Sequence, residues 1–219
     1  MPLQAGKPVI VLDGPAGAGK SSVGKEVARR LELPFLDTGA IYRAIALFML
    51  RDNITPSDTS KLTERLRSFS ISFADGRVLA CGEDVTSAIR TPKIDREVSA
   101  YSAVPEVRGS IIDIQRQGKS EGLVAEGRDM ASVIFPDADL KIFLTASPEA
   151  RARRRYNERL EREGMADYDE ILNLVNRRDA RDSKVTPLEP AHGAIYFDTT
   201  GMRFEEVVES ILEHAAKLK

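Results

Sequence analysis

Five short apolar runs punctuate the chain: Val9 to Leu12, Pro34 to Leu36, Leu123 to Ala125, Lys141 to Leu144 and Ile195 to Phe197. Between them, apolar residues recur at helical spacing near residues 20 to 31, 40 to 52, 104 to 117, 148 to 162, 168 to 182 and 203 to 217. Strands alternating with helices predict an α/β fold, a five-stranded parallel sheet with helices on both faces in three layers. In the last helical stretch Phe204, Val207, Val208, Ile211, Leu212 and Ala215 form one apolar stripe, which reads as a packing surface.

One segment breaks the alternation. Phe69, Ile71 and Phe73 alternate with Ser68, Ser70 and Ser72, and Asp75-Gly76 offers a two-residue turn into Arg77-Val78-Leu79. A small antiparallel insert is expected at about residues 64 to 95, between loop-like flanks at Asn53 to Asp58 and at Thr91-Pro92, so that it can move as a flap. No internal repeat or low-complexity tract interrupts the chain.

With 219 residues and 42% hydrophobic side chains, the chain is expected to build a single domain, its core from residues 1–63 and 96–219. A net charge of −2 argues against coating nucleic acid or an anionic membrane by bulk electrostatics. The single Cys81 cannot make an internal disulfide and reads as ordinary packing, while the separated His192 and His214 make no zinc cluster. The first eight residues carry no apolar signal core, and no stretch approaches the roughly 20 apolar residues of a membrane span. A cytoplasmic monomer with no membrane or nucleic-acid partner is expected.

The chemistry begins at Gly14-Pro15-Ala16-Gly17-Ala18-Gly19-Lys20-Ser21, followed by Ser22. A buried strand precedes it, and a helix with Val23, Val27 and Leu31 on one face follows. That context marks a nucleotide-phosphate loop: glycines let backbone N–H groups crowd the phosphates at a positive helix end, Lys20 reaches the β and γ phosphates, and the Ser21 hydroxyl ligates Mg²⁺. A glycine-rich turn that merely caps a helix does not account for Lys20 and Ser21 together.

Phosphate loops serve kinases, switches and motors alike, so the remaining motifs must discriminate. A GTPase needs D-x-x-G after an early strand and N-K-x-D after a later one. Here Asp198-Thr199-Thr200-Gly201 follows the last strand, and Asn176-Arg177-Arg178-Asp179 lies in an arginine-rich helical pattern. A motor would need more length and an acidic strand end, which leaves a small-molecule kinase. Arg43 follows the second strand in Asp37-Thr38-Gly39-Ala40-Ile41-Tyr42-Arg43, and Arg128 and Asp129 follow the third in Glu126-Gly127-Arg128-Asp129. Ligands of open parallel sheets lie beyond the carboxyl ends of the strands, so these residues are expected to face the crevice of Lys20. After the fourth strand comes Ser147-Pro148-Glu149-Ala150-Arg151-Ala152-Arg153-Arg154-Arg155. Some of its arginines are expected to pair with Glu158, Glu161 and Glu163. The segment, at about 148–165, also fits a short helical lid that brings Arg151 and Arg155 to the migrating phosphoryl and excludes water.

Nearly the whole chain resembles the bacterial cytidylate kinases. The resemblance rests on Asp13 to Ser21, Asp37 to Arg43, Gly82-Glu83-Asp84-Val85-Thr86, Ile89-Arg90-Thr91, Glu126 to Met130 with Val133-Ile134-Phe135-Pro136, and Arg178-Asp179 with Arg181-Asp182-Ser183. It implies a nucleoside monophosphate kinase fold, ATP with Mg²⁺ as donor, and CMP or dCMP as acceptor. It also makes the inserted hairpin part of a monophosphate-binding flap. By motif, Asp129 and Arg108, with Thr38 beside them, match base-reading positions; Arg43 and Arg128 match monophosphate clamps; Ser99, Arg178 and Asp182 match ribose contacts. Asp129 can accept from cytosine N4, whereas it would face uracil O4 acceptor to acceptor. Two departures stand out: the spacer after Asp182-Ser183 is short, and Lys184 stands where the family often has arginine, with its planar fork. Small kinases acting on shikimate, gluconate or a cofactor precursor, and a nucleotide-binding regulator without turnover, are the alternatives.

Overall fold

The computed structural model describes residues 7–74, 76–117, 119–186 and 188–218, with the side chains of 162 and 163 excepted. Asp75 of the expected hairpin turn, the side chain of Glu163 and Pro187 of the short spacer thus lie outside the described residues. The chain separates into two compact units, one built from Met1–Leu36 with Arg116–Lys219 and the other from Asp37–Gln115.

The first unit is organised on β1 (Val9–Asp13), β2 (Phe35–Asp37, its last residue opening the second unit), β6 (Leu123–Glu126), β7 (Leu140–Thr145) and β8 (Ile195–Asp198). They form one five-stranded sheet in the order β2-β6-β1-β7-β8. β1 runs parallel to both neighbours, with Val11 opposite Ala125 on one side and Lys141 on the other. Every residue of β1 is buried, as a central strand covered on both faces requires. The chain leaves β1 toward β2 and β6, then crosses back over β1 to β7, so the carboxyl end of β1 lies at a topological switch point, where doubly wound sheets place ligands. Helices α1 (Lys20–Arg30) and α8 (Phe204–Ala215) pack on this sheet: Val23, Val27, Val207, Val208 and Ile211 join Ile10, Leu12, Ile142 and Leu144 in one core. α6 (Pro148–Glu163) and α7 (Tyr168–Asp182) form a helical hairpin around Ala152, Ile171 and Val175. Gly164 ends α6 at φ 73°, a left-handed position that suits glycine.

The second unit holds α2 (Thr38–Arg51), α3 (Thr59–Leu66), the antiparallel strands β3 (Ile71–Ala74), β4 (Arg77–Ala80) and β5 (Glu83–Asp84), and helices α4 (Pro92–Ser102) and α5 (Pro105–Arg116, its last residue counted in the first unit). The three-stranded sheet lies where the insert is expected, yet the compact unit is wider than residues 64 to 95. The reason is packing: Val78, Ala80, Val85 and Ile89 bury themselves against Ala40, Ala44 and Phe48 of α2, so the hairpin shares a core with helices outside those bounds. The loop-like flank Thr91-Pro92 is the start of helix α4, which the apolar periodicity does not announce. Its signals are local nonetheless: Pro92 occupies the first turn, where no amide hydrogen is needed, and the Thr91 hydroxyl accepts from the Ile94 N–H.

Candidate functional site

The loop between β1 and α1 is shaped by three glycines. Gly14 has φ 137°, and a Cβ there would lie 1.9 Å from the carbonyl oxygen of Leu144. Gly19 stands at the N-cap of α1 with φ 94° and offers no capping side chain, and no acidic residue enters the first turn. α2, α4, α6 and α7 are all capped by side chains, from Asp37, Thr91, Ser147 and Asp167. The amino end of α1 therefore presents its positive end to an anion.

Lys20 is buried, 4% exposed, and its ammonium donates to the carbonyls of Gly14 at 2.8 Å and Pro15 at 2.9 Å. Glu126 Oε2, from the end of β6, lies 3.9 Å from Lys20 Nζ, and the Ser21 hydroxyl donates to Glu126 Oε1. Burial, followed by the nearby Arg128 guanidinium, lowers the Lys20 ammonium to about 7, against the pull of Glu126 and Asp13. Lys20 and Arg128 thus bring two cations together here, with Glu126 and Asp13 opposing them. Asp13 accepts from the N–H groups of Met130 at 2.9 Å and Ala131 at 2.8 Å, which ties β1 to the turn after β6. Burial raises its carboxyl, the two N–H groups oppose this, and the charge of Asp129 adds to the rise. Asp129 itself is 5% exposed.

Arg128 Nε donates to Asp182 Oδ2 at 3.2 Å, and Arg178 approaches the same oxygen at 3.8 Å. One carboxylate thus gathers two arginines expected at the acceptor. Lys184 lies exposed beyond the end of α7. Arg155 runs along the loop, its Nε 3.3 Å from where a Gly17 Cβ would be. Arg151, expected at the migrating phosphoryl, is 3% exposed. Its Nε donates to Ala146 O at 2.9 Å, its Nη1 to Ala16 O and Asp179 Oδ1, both at 3.0 Å, and its Nη2 to Asp179 Oδ2 at 2.5 Å. Four of the five N–H groups of a guanidinium are thereby engaged.

In the second unit, Arg43 donates from Nη2 to Asp95 Oδ1 at 2.5 Å and from Nη1 to Ile89 O at 3.1 Å. Asp37 accepts from the Ala40 N–H through Oδ1 and from Arg90 through Oδ2, fixing the start of α2, whose first residue is the buried Thr38. Ser99 is buried on α4, and Arg108 Nη1 donates to Ser102 O at 3.4 Å. Arg154, Asp179, Asp95 and Thr199 were not singled out from sequence for any role, because nothing in a run such as Arg151 to Arg155 tells one arginine's partner from another's.

The cytidylate kinase family profile matches residues 10–217. The chain belongs to the cytidylate kinase family. A cytidylate kinase from Caldanaerobacter subterraneus subsp. tengcongensis is 46% identical over 211 residues, covering 95% of this chain and 94% of that one. One from Desulfitobacterium hafniense is 47% identical over 210 residues, covering 93% and 90%. Among solved structures, an uncharacterized protein from Eubacterium ventriosum matches with a TM-score of 0.51 at 15% identity over 96% of this chain and 99% of that one, a likeness of fold alone. The rejected GTPase motifs are explained locally: Asn176 to Asp179 lies within α7, and Asp198 closes a turn by accepting from Thr200. Among the described residues no helix is long and apolar enough to cross a membrane.

Proposed function

We propose that this chain transfers the γ-phosphoryl group of ATP to CMP or dCMP, giving ADP with CDP or dCDP, as a cytoplasmic enzyme of pyrimidine nucleotide metabolism. One observation carries the reading: at the uncapped end of α1 the buried Lys20 lies 3.9 Å from Glu126, the last residue of β6, and the loop that leaves β6 carries Arg128 and the buried Asp129. Anion recognition and a polar reader thus emerge from adjacent strand ends.

The acceptor is a phosphate oxygen that is already anionic near neutral pH, so no general base is needed. Positioning and charge neutralisation carry the rate. Lys20 follows the β and γ phosphates, the loop from Gly14 to Ser22 lines them with the backbone N–H of every residue but Pro15, and Arg155 covers the loop. Arg43 and Arg128 take the acceptor phosphate, where the bidentate geometry of arginine fixes orientation. Asp129, with Thr38 and Arg108, reads the base; Ser99, Arg178 and Asp182 hold the ribose, and Lys184 contributes a point charge.

The oxygen donors of Ser21 and Glu126, with the Asp13 carboxylate behind them, suit a hard cation such as Mg²⁺. Among the described residues no cluster of three or more His, Cys, Asp and Glu is placed to hold a metal alone, in keeping with an ion that arrives with phosphates. When bound, Mg²⁺ neutralises charge on the donor phosphates. A coupled assay of ADP formation across CMP, dCMP, UMP, AMP and shikimate tests the reading. CMP and dCMP are expected to turn over fastest, and equal turnover of AMP or shikimate would remove the cytosine assignment.

A further inference from the structure

The phosphate loop alternates in exposure: Ala16 and Ala18 are buried at 4% and 1%, whereas Gly17 and Gly19 are part-exposed. Two of its carbonyls are held by arginines of α6. Arg151 Nη1 donates to Ala16 O at 3.0 Å, and Arg154 Nη1 donates to Ala18 O at 3.2 Å. Each arginine is anchored in turn from a distant part of the first unit. Arg151 is gripped by both carboxylate oxygens of Asp179 on α7 and by Ala146 O beyond β7. Arg154 reaches Thr199 O at 2.7 Å and the Thr199 hydroxyl at 3.2 Å, just past β8.

In a planar trans peptide the C=O and the following N–H point in opposite directions, and the described chain has no cis peptide. Pinning Ala16 O and Ala18 O toward α6 therefore turns the N–H groups of Gly17 and Gly19 the other way. Those glycines have φ of 80° and 94°, conformations that glycine can leave as readily as adopt, so their own backbone preference does not fix the peptide planes. External hydrogen bonds must do so.

We propose that Arg151 and Arg154, with Asp179 and Thr199 behind them, are positioning residues that preorganise the phosphate loop by its carbonyls, aiming the Gly17 and Gly19 N–H groups at the β phosphate of the donor nucleotide. This rests on the donor-site reading above and replaces the expectation that Arg151 touches the migrating phosphoryl. Arginine suits the task because one planar fork spans a carbonyl and a carboxylate, which the point charge of lysine cannot do. Pre-orienting the amides lowers the ordering cost of binding, so the brace acts on affinity for the polyphosphate.

The test is calorimetric titration of ADP, and separately of AMP, into the full chain and its Asp179→Asn, Arg154→Lys and Asp179→Glu variants without acceptor. ADP affinity is expected to fall about tenfold in Asp179→Asn and Arg154→Lys, the scale of one charge-assisted hydrogen bond. AMP affinity should stay unchanged, since AMP lacks the β phosphate, and Asp179→Glu should recover part of the loss. In turnover the loss should enter KM for ATP, with kcat within a few-fold of the parent. Unchanged ADP affinity overturns the brace, as does an equal loss for AMP. A hundredfold fall in kcat at saturating ATP with ADP affinity retained would return Arg151 to the transferring phosphoryl. Should Asp179→Asn unfold, Arg154→Lys tests the second carbonyl independently. If the chain bound ADP but phosphorylated shikimate instead of CMP, the acceptor assignment would fail and the brace would stand.

Discussion

Lys20 Nζ lies 3.9 Å from Glu126 Oε2, with both side chains less than one-tenth exposed. The lysine follows β1 and the glutamate ends β6, two strands paired side by side from Val9 with Leu123 to Leu12 with Glu126. A buried ammonium beside a buried carboxylate is costly unless each has work to do, and the carboxylate also receives the Ser21 hydroxyl.

Lys20→Ala removes the charge proposed to follow the β and γ phosphates. Turnover of CMP should fall by about 10²–10³-fold or more, while CMP binding remains measurable by titration without ATP. A rate within a few-fold of the parent would count against the donor site.

Asp129→Ala deletes the buried acceptor assigned to cytosine N4. Its main effect should be on the ratio of kcat/KM for CMP over UMP, which is expected to drop by about tenfold, the size of a mispaired buried polar group. An unchanged ratio would take Asp129 out of base reading.

Two glycine substitutions should act in opposite directions. Gly14→Ala places a Cβ 1.9 Å from Leu144 O at φ 137°, and should cost at least about 1–3 kcal/mol of stability from the backbone alone. Gly109, exposed within α5 and with open space around its Cβ position, should gain roughly 0.5–1 kcal/mol as Gly109→Ala. Denaturant midpoints distinguish them.

Glu26 accepts from Arg29 Nη2 and Arg30 Nε, both at 2.7 Å, and these bonds hold its carboxyl at about 2 against an ordinary 4.5. The folded value lies below the unfolded one, so the contribution is full above pH 4.5 and is lost as pH falls toward 2. The Tm advantage of the parent over Glu26→Gln should be small and constant near neutrality, shrink across that window, and diminish in about 1 M salt because the pair is solvent-accessible. An advantage that grew on acidification would refute it.

Much of this molecule was legible in its residue order, and the physics is local. Apolar runs of the right length became all five parallel strands, and Gly14 to Ser21 became a strand-loop-helix phosphate cradle, because period and glycine placement act over a few residues. The helix at Pro92–Ser102 was equally local in origin, but a proline read as a breaker conceals a helix start. What the order of residues could not decide is which member of a charged run does what. Arg151, Arg153 and Arg154 look alike in sequence. In the fold Arg153 stacks 4.5 Å from the Tyr168 ring, Arg151 meets Asp179, and Arg154 meets Thr199. A helix sends neighbouring residues about 100° apart, and partners 28 and 45 positions away are brought up only when the sheet and the α6–α7 hairpin close. Local periodicity thus determined the cradle, and long-range packing chose the charges that hold it in shape.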